Sequence, residues 1–205
     1  MLVEPRAAGL EGANVMERAA NAQLERLVAE LTALESECRN AAKVTALFRS
    51  NPLPDALLAS GAAPAEASYS RNLLHRCETF ELLLIRWDGA ARSTIHDHGG
   101  QNCFMLVCSG ALFVSDYDLM SGGRQAGPAA IRYARNTRMC AGEIDVRSSE
   151  RDLHLVEATD GAATSLHLYA RPIDACLAFD ANAATCAHQR NVYDDVRAGA
   201  FAADT

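Results

Sequence analysis

A series of short apolar runs, broken by turn residues between about residues 80 and 170, most constrains how this chain can fold. Residues 80–87 form a dense apolar run. Residues 104–108 and 111–114 flank Ser109-Gly110, a hairpin-turn signal. Residues 144–146, 153–156 and 165–169 read as further short strands, with Asp160-Gly161 as the turn between the last two. Ser121-Gly122-Gly123 and Ala126-Gly127-Pro128 mark loops. No helical pattern alternates with these runs, so the expected core is an all-β barrel or double sheet.

The first part of the chain has a different period. Leu24, Leu27, Val28, Leu31 and Leu34 follow the i, i+3, i+4, i+7 spacing of one apolar stripe, and residues 15–50 read as helical. Val44, Leu47 and Phe48 suggest a second short helix, ended by Asn51-Pro52-Leu53-Pro54. Residues 61–68 are alanine-rich, contain Pro64 and read as a loop or linker. The expected organisation is a helical segment over 1–60 packed on a barrel over 61–205, a single domain overall for 205 residues. The tail after about residue 180 is rich in Ala and Asp and is expected to form loops and a poorly ordered terminus.

Composition narrows the function classes. Apolar residues make up 49% of the chain, enough for a packed core, and the formal net charge is −7. An acidic chain repels phosphate backbones and anionic membrane surfaces, so neither nucleic acid nor membrane is an expected partner. No apolar run approaches the roughly 18–20 residues that span a bilayer. No basic stretch followed by an apolar one marks a signal peptide, so the expected location is the cytoplasm. The seven cysteines include no CxxC pair, which argues against a zinc ribbon, a thioredoxin-type motif or a secreted disulfide framework. Most are expected to be buried thiols.

The chemistry concentrates in a few of the six histidines. His96 and His98 form an HxH pair in Ile95-His96-Asp97-His98-Gly99-Gly100. On a strand, i and i+2 share a face, so two imidazoles can chelate one metal. The bland reading is two solvated loop histidines beside an aspartate, and the pair alone is weak evidence. Its setting, a strand end leading through a Gly-Gly turn into an apolar hairpin with Gly110 at its corner, resembles the first motif of the cupin family, G…HxH…E…G. The chain departs from that motif where a glutamate usually stands, carrying Asn102 and Cys103 instead. His154, on the later strand Leu153-His154-Leu155-Val156, stands where a third ligand is expected. The expected site is three neutral imidazoles with open positions for other ligands. Asp97 is expected to be solvated or to act from outside the ligand set. Ser165, His167 and Tyr169 are spaced i, i+2, i+4 and would face one way on a strand, either as ordinary inward packing or as a hydrogen-bonded chain. His75 and His188 read as surface or structural residues, and Trp87 as a core residue.

Several of these segments together resemble the cysteine dioxygenases, thiol dioxygenases of the cupin superfamily. They are Tyr69-Ser70-Arg71-Asn72-Leu73, Trp87-Asp88-Gly89, Ser93-Thr94-Ile95-His96-Asp97-His98, Cys103-Phe104 and Ser165-Leu166-His167-Leu168-Tyr169, followed by Pro172, Asp174 and Cys176. The resemblance implies a cupin-type β-barrel or jelly roll with N-terminal α-helices. It implies Fe(II) held by His96, His98 and His154, and Arg71 as the group that binds a substrate carboxylate. It further implies a Cys103–Tyr169 thioether cross-link beside the iron, a relay of Ser165, His167 and Tyr169, and Tyr69 lining the pocket. Such a cross-link would fix the Tyr169 ring and lower its phenol pKa. The implied reaction is O2-dependent oxidation of L-cysteine to its sulfinate.

The segment after the tyrosine, Tyr169-Ala170-Arg171-Pro172, differs from the Ser-Pro-Pro run of the animal-type enzymes. An inward Arg171 would suit another carboxylated thiol, such as 3-mercaptopropionate or mercaptosuccinate; the alternative is a surface arginine. Arg71 and Cys103 favour the cysteine-type branch. A non-catalytic metal-binding cupin is the reading from another class. A cupin isomerase or epimerase lacks an evident general base beside the metal motif. The expected partners are a small thiol and O2. A monomer is expected, with a weak homo-oligomer as the alternative.

Overall fold

The computed structural model of the protein describes residues 7–34, 40–148 and 153–201. The chain divides into two compact units, Met1–Ser60 and Gly61–Thr205.

The first unit is helical, with α1 spanning Ala7–Ala33, α2 Ala41–Ser50 and α3 Asp55–Leu58. On α1 the apolar stripe lies on one face, with Leu24, Leu27 and Leu31 buried. Asn40 starts α2, its side chain accepting from the Lys43 N–H at 3.1 Å and satisfying one of the free donors of the first turn. Pro54, with its fixed φ, is the N-cap residue of α3. The helical reading across 35–39 and the thiol of Cys38 lie outside the described residues.

The second unit is β-structure. Its strands are β1 (Tyr69–Arg76), β2 (Glu81–Trp87), β3 (Ile95–His96), β4 (Cys103–Ser109), β5 (Ala111–Gly122) and β6 (Gly127–Cys140). They continue with β7 (Ile144–Arg147), β8 (Leu153–Glu157), β9 (Ala163–Tyr169), β10 (Ala175–Asp180), β11 (Thr185–Arg190) and β12 (Asp195–Val196). One sheet runs β12-β1-β2-β9-β4-β7; the other runs β10-β11-β6-β5-β8-β3 and closes on itself where β3 pairs with β10. The result is a cupin-like two-sheet sandwich. Leu83 and Ile85 of β2 and Met105 of β4 share the core with Leu112 and Val114 of β5 and Val156 of β8, so the two inner faces bury one another.

Strand register places the polar residues. Arg71 faces Ile85, Ile85 faces Ser165, and Ser165 faces Val107. One further row sets Glu81 against Tyr169, Tyr169 against Cys103, and Cys103 against Arg147. Rows on one face carry the chemistry, because side chains alternate along every strand.

Three expectations are corrected. The hairpin expected around Ser109-Gly110 is a corner between the two sheets, because β4 pairs with β7 and β9 while β5 pairs with β6 and β8. Residues 121–123 were expected to form a loop, yet β5 continues to Gly122. Strand β6 gives no apolar alternation because most of it is exposed; Arg132–Asp118 and Arg135–Asp116 pairs add to its backbone ladder with β5. The region after 180 is not loop alone: β10 and β11 form a hairpin, and β12 lies parallel to β1. Backbone pairing holds β11 with little apolar burial, which explains its silence in the sequence.

Candidate metal centre

His96 comes from β3, His154 from β8 and His98 from the segment after β3, and His96 faces His154 directly in register. Each offers one ring nitrogen to a common point, and these nitrogens lie within 4.8 Å of one another. The orientations follow from the outer partners. His96 Nδ1 contacts the Thr94 carbonyl oxygen at 2.9 Å, and His154 Nδ1 faces Asp145 Oδ2 at 3.4 Å. The first contact makes Nδ1 of His96 the protonated nitrogen and leaves its Nε2 lone pair for the centre. The second is an electrostatic contact, too loose in geometry for a firm hydrogen bond. Arg147 holds that aspartate at 2.7 Å and reaches Asp116 at 2.6 Å.

Burial pushes the pKa of all three imidazoles down, and for His98 and His154 the neighbouring imidazoles push it further. All three are therefore neutral at pH 7, with lone pairs free. Both ring nitrogens of His98 are buried without a hydrogen-bond partner among the described residues. An unsatisfied buried polar group costs about 1–3 kcal/mol. A cation among the three rings takes up such a lone pair, so the donor set fits a metal ion.

The rings open into a small cavity of about 30 Å³, which Tyr69, Arg71, Trp87, His167 and Tyr169 also line. Arg71 Nε donates to the Val192 carbonyl at 3.1 Å, while Nη2 is buried and has no hydrogen-bond partner among the described residues. On the same sheet a polar chain runs along β9. Trp87 Nε1–H donates to Ser165 Oγ at 2.8 Å, and Ser165 Oγ lies 2.8 Å from His167 Nε2. Indole only donates, so Ser165 accepts there; in the tautomer with a bare Nε2, His167 takes the Ser165 proton. His167 Nδ1 then carries the ring proton and faces the Tyr169 oxygen at 3.5 Å. This ordering leaves the Tyr169 O–H free to donate into the cavity. Burial, with Arg71 nearby, pushes the His167 pKa down to about 3, so the ring is neutral. Burial, reinforced by Cys103, pushes the Tyr169 phenol far up and keeps it protonated.

The family of cysteine dioxygenase type I matches residues 10–182 of this chain. The chain belongs to that family. Cysteine dioxygenase type 1 of Rattus norvegicus is 32% identical over 165 residues, 78% of each chain. The protein of the same name from Danio rerio is 32% identical over 120 residues, which span 55% of this chain and 56% of that protein. A solved cupin superfamily protein from Desulfitobacterium hafniense aligns with a TM-score of 0.41 and 8% identity over 54% of this chain and 84% of its own.

Of the residues singled out in the sequence, the cavity gathers His96, His98, His154, Tyr69, Arg71, His167 and Tyr169. Ser165 sits one contact behind it. Cys103 and Tyr169, the pair for which the resemblance implies a cross-link, are direct neighbours on adjacent strands of one sheet. Burial pushes the Cys103 thiol far up, so it is uncharged. Arg171, set down as a candidate substrate-binding residue with a surface arginine as the alternative, takes the surface position, and the substrate-binding role is corrected: it is exposed and does not line the cavity. Continuing the alternation of 165, 167 and 169 would have turned it inward, but β9 ends at Tyr169 and the chain bends there.

Several residues of the site were missed. Trp87 lines the cavity as well as packing in the core. Asp145 sits mid-strand in an apolar run, a signal that could have marked it as inward and partnered. Gln189 and Asn191 line the cavity from the region expected to be loop, where no periodicity pointed to them.

Proposed function

We propose that this family member is an Fe(II)-dependent thiol dioxygenase that converts L-cysteine to cysteine sulfinate. The observation that carries the reading is one cavity shared by three neutral imidazoles, an unpaired arginine nitrogen and a protonated tyrosine. His96, His98 and His154 would hold the iron. Three neutral ligands leave it a full double positive charge, which suits an incoming thiolate. When bound, the iron supplies open coordination positions for thiolate and O2.

The chain's own residues do the rest. Arg71 offers Nη2 to the substrate carboxylate and fixes the orientation of the thiol carbon. Tyr169 donates its O–H towards the reacting end of the cavity, held there by the chain from Trp87 through Ser165 and His167. Tyr69, its ring 4.9 Å from Trp87, helps wall the pocket. The balance is RSH + O2 → RSO2H: sulfur loses four electrons, O2 gains them, and no other reductant is consumed. The proximity of Cys103 and Tyr169 supports a thioether bond between them, a separate oxidation that O2 would drive.

The small cavity favours a small thiol. With Arg171 outside it, Arg71 is the guanidinium in its lining, which favours one carboxylate over two. L-Cysteine therefore ranks ahead of mercaptosuccinate, with 3-mercaptopropionate as the closer competitor. The test is O2 uptake by the iron-loaded protein with the three thiols side by side, with product mass read for two added oxygen atoms. Turnover of L-cysteine above the others is expected. No uptake with any thiol would overturn the reading and leave a metal-binding module.

A further inference from the structure

The cavity wall that carries Arg71 is not self-supporting. The segment 191–194 runs beside β1 and grips this arginine by its backbone and its side chain. Arg71 N–H donates to Asp194 Oδ2 at 2.8 Å, Asp194 N–H returns to the Arg71 carbonyl at 2.8 Å, and Arg71 Nε donates to the Val192 carbonyl at 3.1 Å. With Nε committed, Nη2 is the nitrogen left buried and unpaired.

A buried carboxylate anchors that segment in turn. Glu81 is 0% exposed. Its Oε2 accepts from the Tyr193 hydroxyl at 2.5 Å, and its Oε1 accepts from the Ile173 N–H at 3.1 Å. Arg76 donates to the same Tyr193 oxygen at 2.5 Å and to Asp174 at 2.8 Å. Asn191 closes the circuit, donating from its side chain to the Ile173 carbonyl at 2.9 Å. Ile173 and Asn191 both line the cavity. One carboxylate on β2 thus ties together the two loops that flank the arginine.

We propose that Glu81 and Tyr193 are positioning residues for substrate carboxylate recognition: they pin segment 191–194 so that Arg71 presents Nη2 to the cavity before substrate arrives. This rests on the reading of Arg71 as the carboxylate anchor. An arginine side chain has considerable rotamer freedom, and removing it in advance is worth on the order of tenfold in binding. The benefit falls only on ligands that use the guanidinium. Loss of Tyr193 or Glu81 should therefore weaken carboxylated thiols selectively, whereas a purely structural role would weaken every ligand of the cavity.

The test is anaerobic calorimetric titration of the iron-loaded full chain with L-cysteine and with cysteamine, which keeps thiol and amine but lacks the carboxylate. Tyr193→Phe keeps the ring and removes the hydroxyl. It is expected to weaken L-cysteine about fivefold, the usual weight of one hydrogen bond, and to leave cysteamine within about twofold. Glu81→Gln should act in the same direction; should that variant fail to fold, Tyr193→Phe decides alone. In an Arg71→Ala background, Tyr193→Phe should change neither affinity. Equal losses for both thiols, no loss for L-cysteine, or a Tyr193→Phe effect that survives Arg71→Ala would each overturn the proposal. A wild-type protein that binds no thiol would overturn the thiol reading itself, and this inference with it.

Discussion

His98 carries the most direct statement about a ligand, because it is 3% exposed and both its ring nitrogens lack partners among the described residues. A buried imidazole in that state is held for something else. Replacing His96, His98 or His154 by alanine should cut bound iron at least tenfold after dialysis, read as metal per chain. Full iron occupancy in any of the three variants would remove that residue from the ligand set. Tyr169→Phe should keep the metal and lower turnover by about 100–1,000-fold, the usual range for losing one placed donor. A variant with wild-type turnover would show that the phenol does not act. At this scale the sequence was informative wherever residue type and period agreed. The HxH pair and the 165, 167, 169 spacing need only alternation to share a face. For Arg171 the sequence left inward and surface readings open, because strand ends are set by tertiary bends rather than by local pattern.

The chain passes from β4 in one sheet to β5 in the other at Gly110, whose φ is +72°. A side chain there would be strained, and its Cβ would meet the Ala162 carbonyl oxygen at 2.5 Å. Gly110→Val should lower stability by about 1–3 kcal/mol, measured by urea unfolding. An unchanged midpoint would mean that the turn can rearrange. The turn was legible because its flanking strands are apolar and it carries glycine, but local pattern could not tell a hairpin from a corner between two sheets. Strand β6 was not, since paired charges and a backbone ladder leave no hydrophobic trace. The same holds for β11, and the cavity-lining Gln189 was missed with it. Strands that fill a core announce themselves; strands that wall a site from the rim do not.

Taken as a whole, the molecule buries four imidazoles in their neutral form, three at the centre and His167 behind them. Their folded pKa values lie below the unfolded value of 6.5, and that of His167 falls to about 3. The unfolded chain therefore binds more protons once the pH drops below 6.5, and stability is lost in that direction. The metal-free protein should hold a level unfolding midpoint above pH 6.5 and lose it steadily as the pH falls from there towards 3, read by denaturant titration. A midpoint flat across that window would mean these rings are not buried neutral. The two halves of the site also differ in when they can form. Arg71 and Asp194 are 123 positions apart, so the arginine waits for most of the unit to be synthesised before its grip exists. The three imidazoles leave the ribosome earlier than every residue of segment 191–194. In a growing chain the three histidines are thus present while the grip on Arg71 is still unfinished, and a metal ion would have the first opportunity to bind.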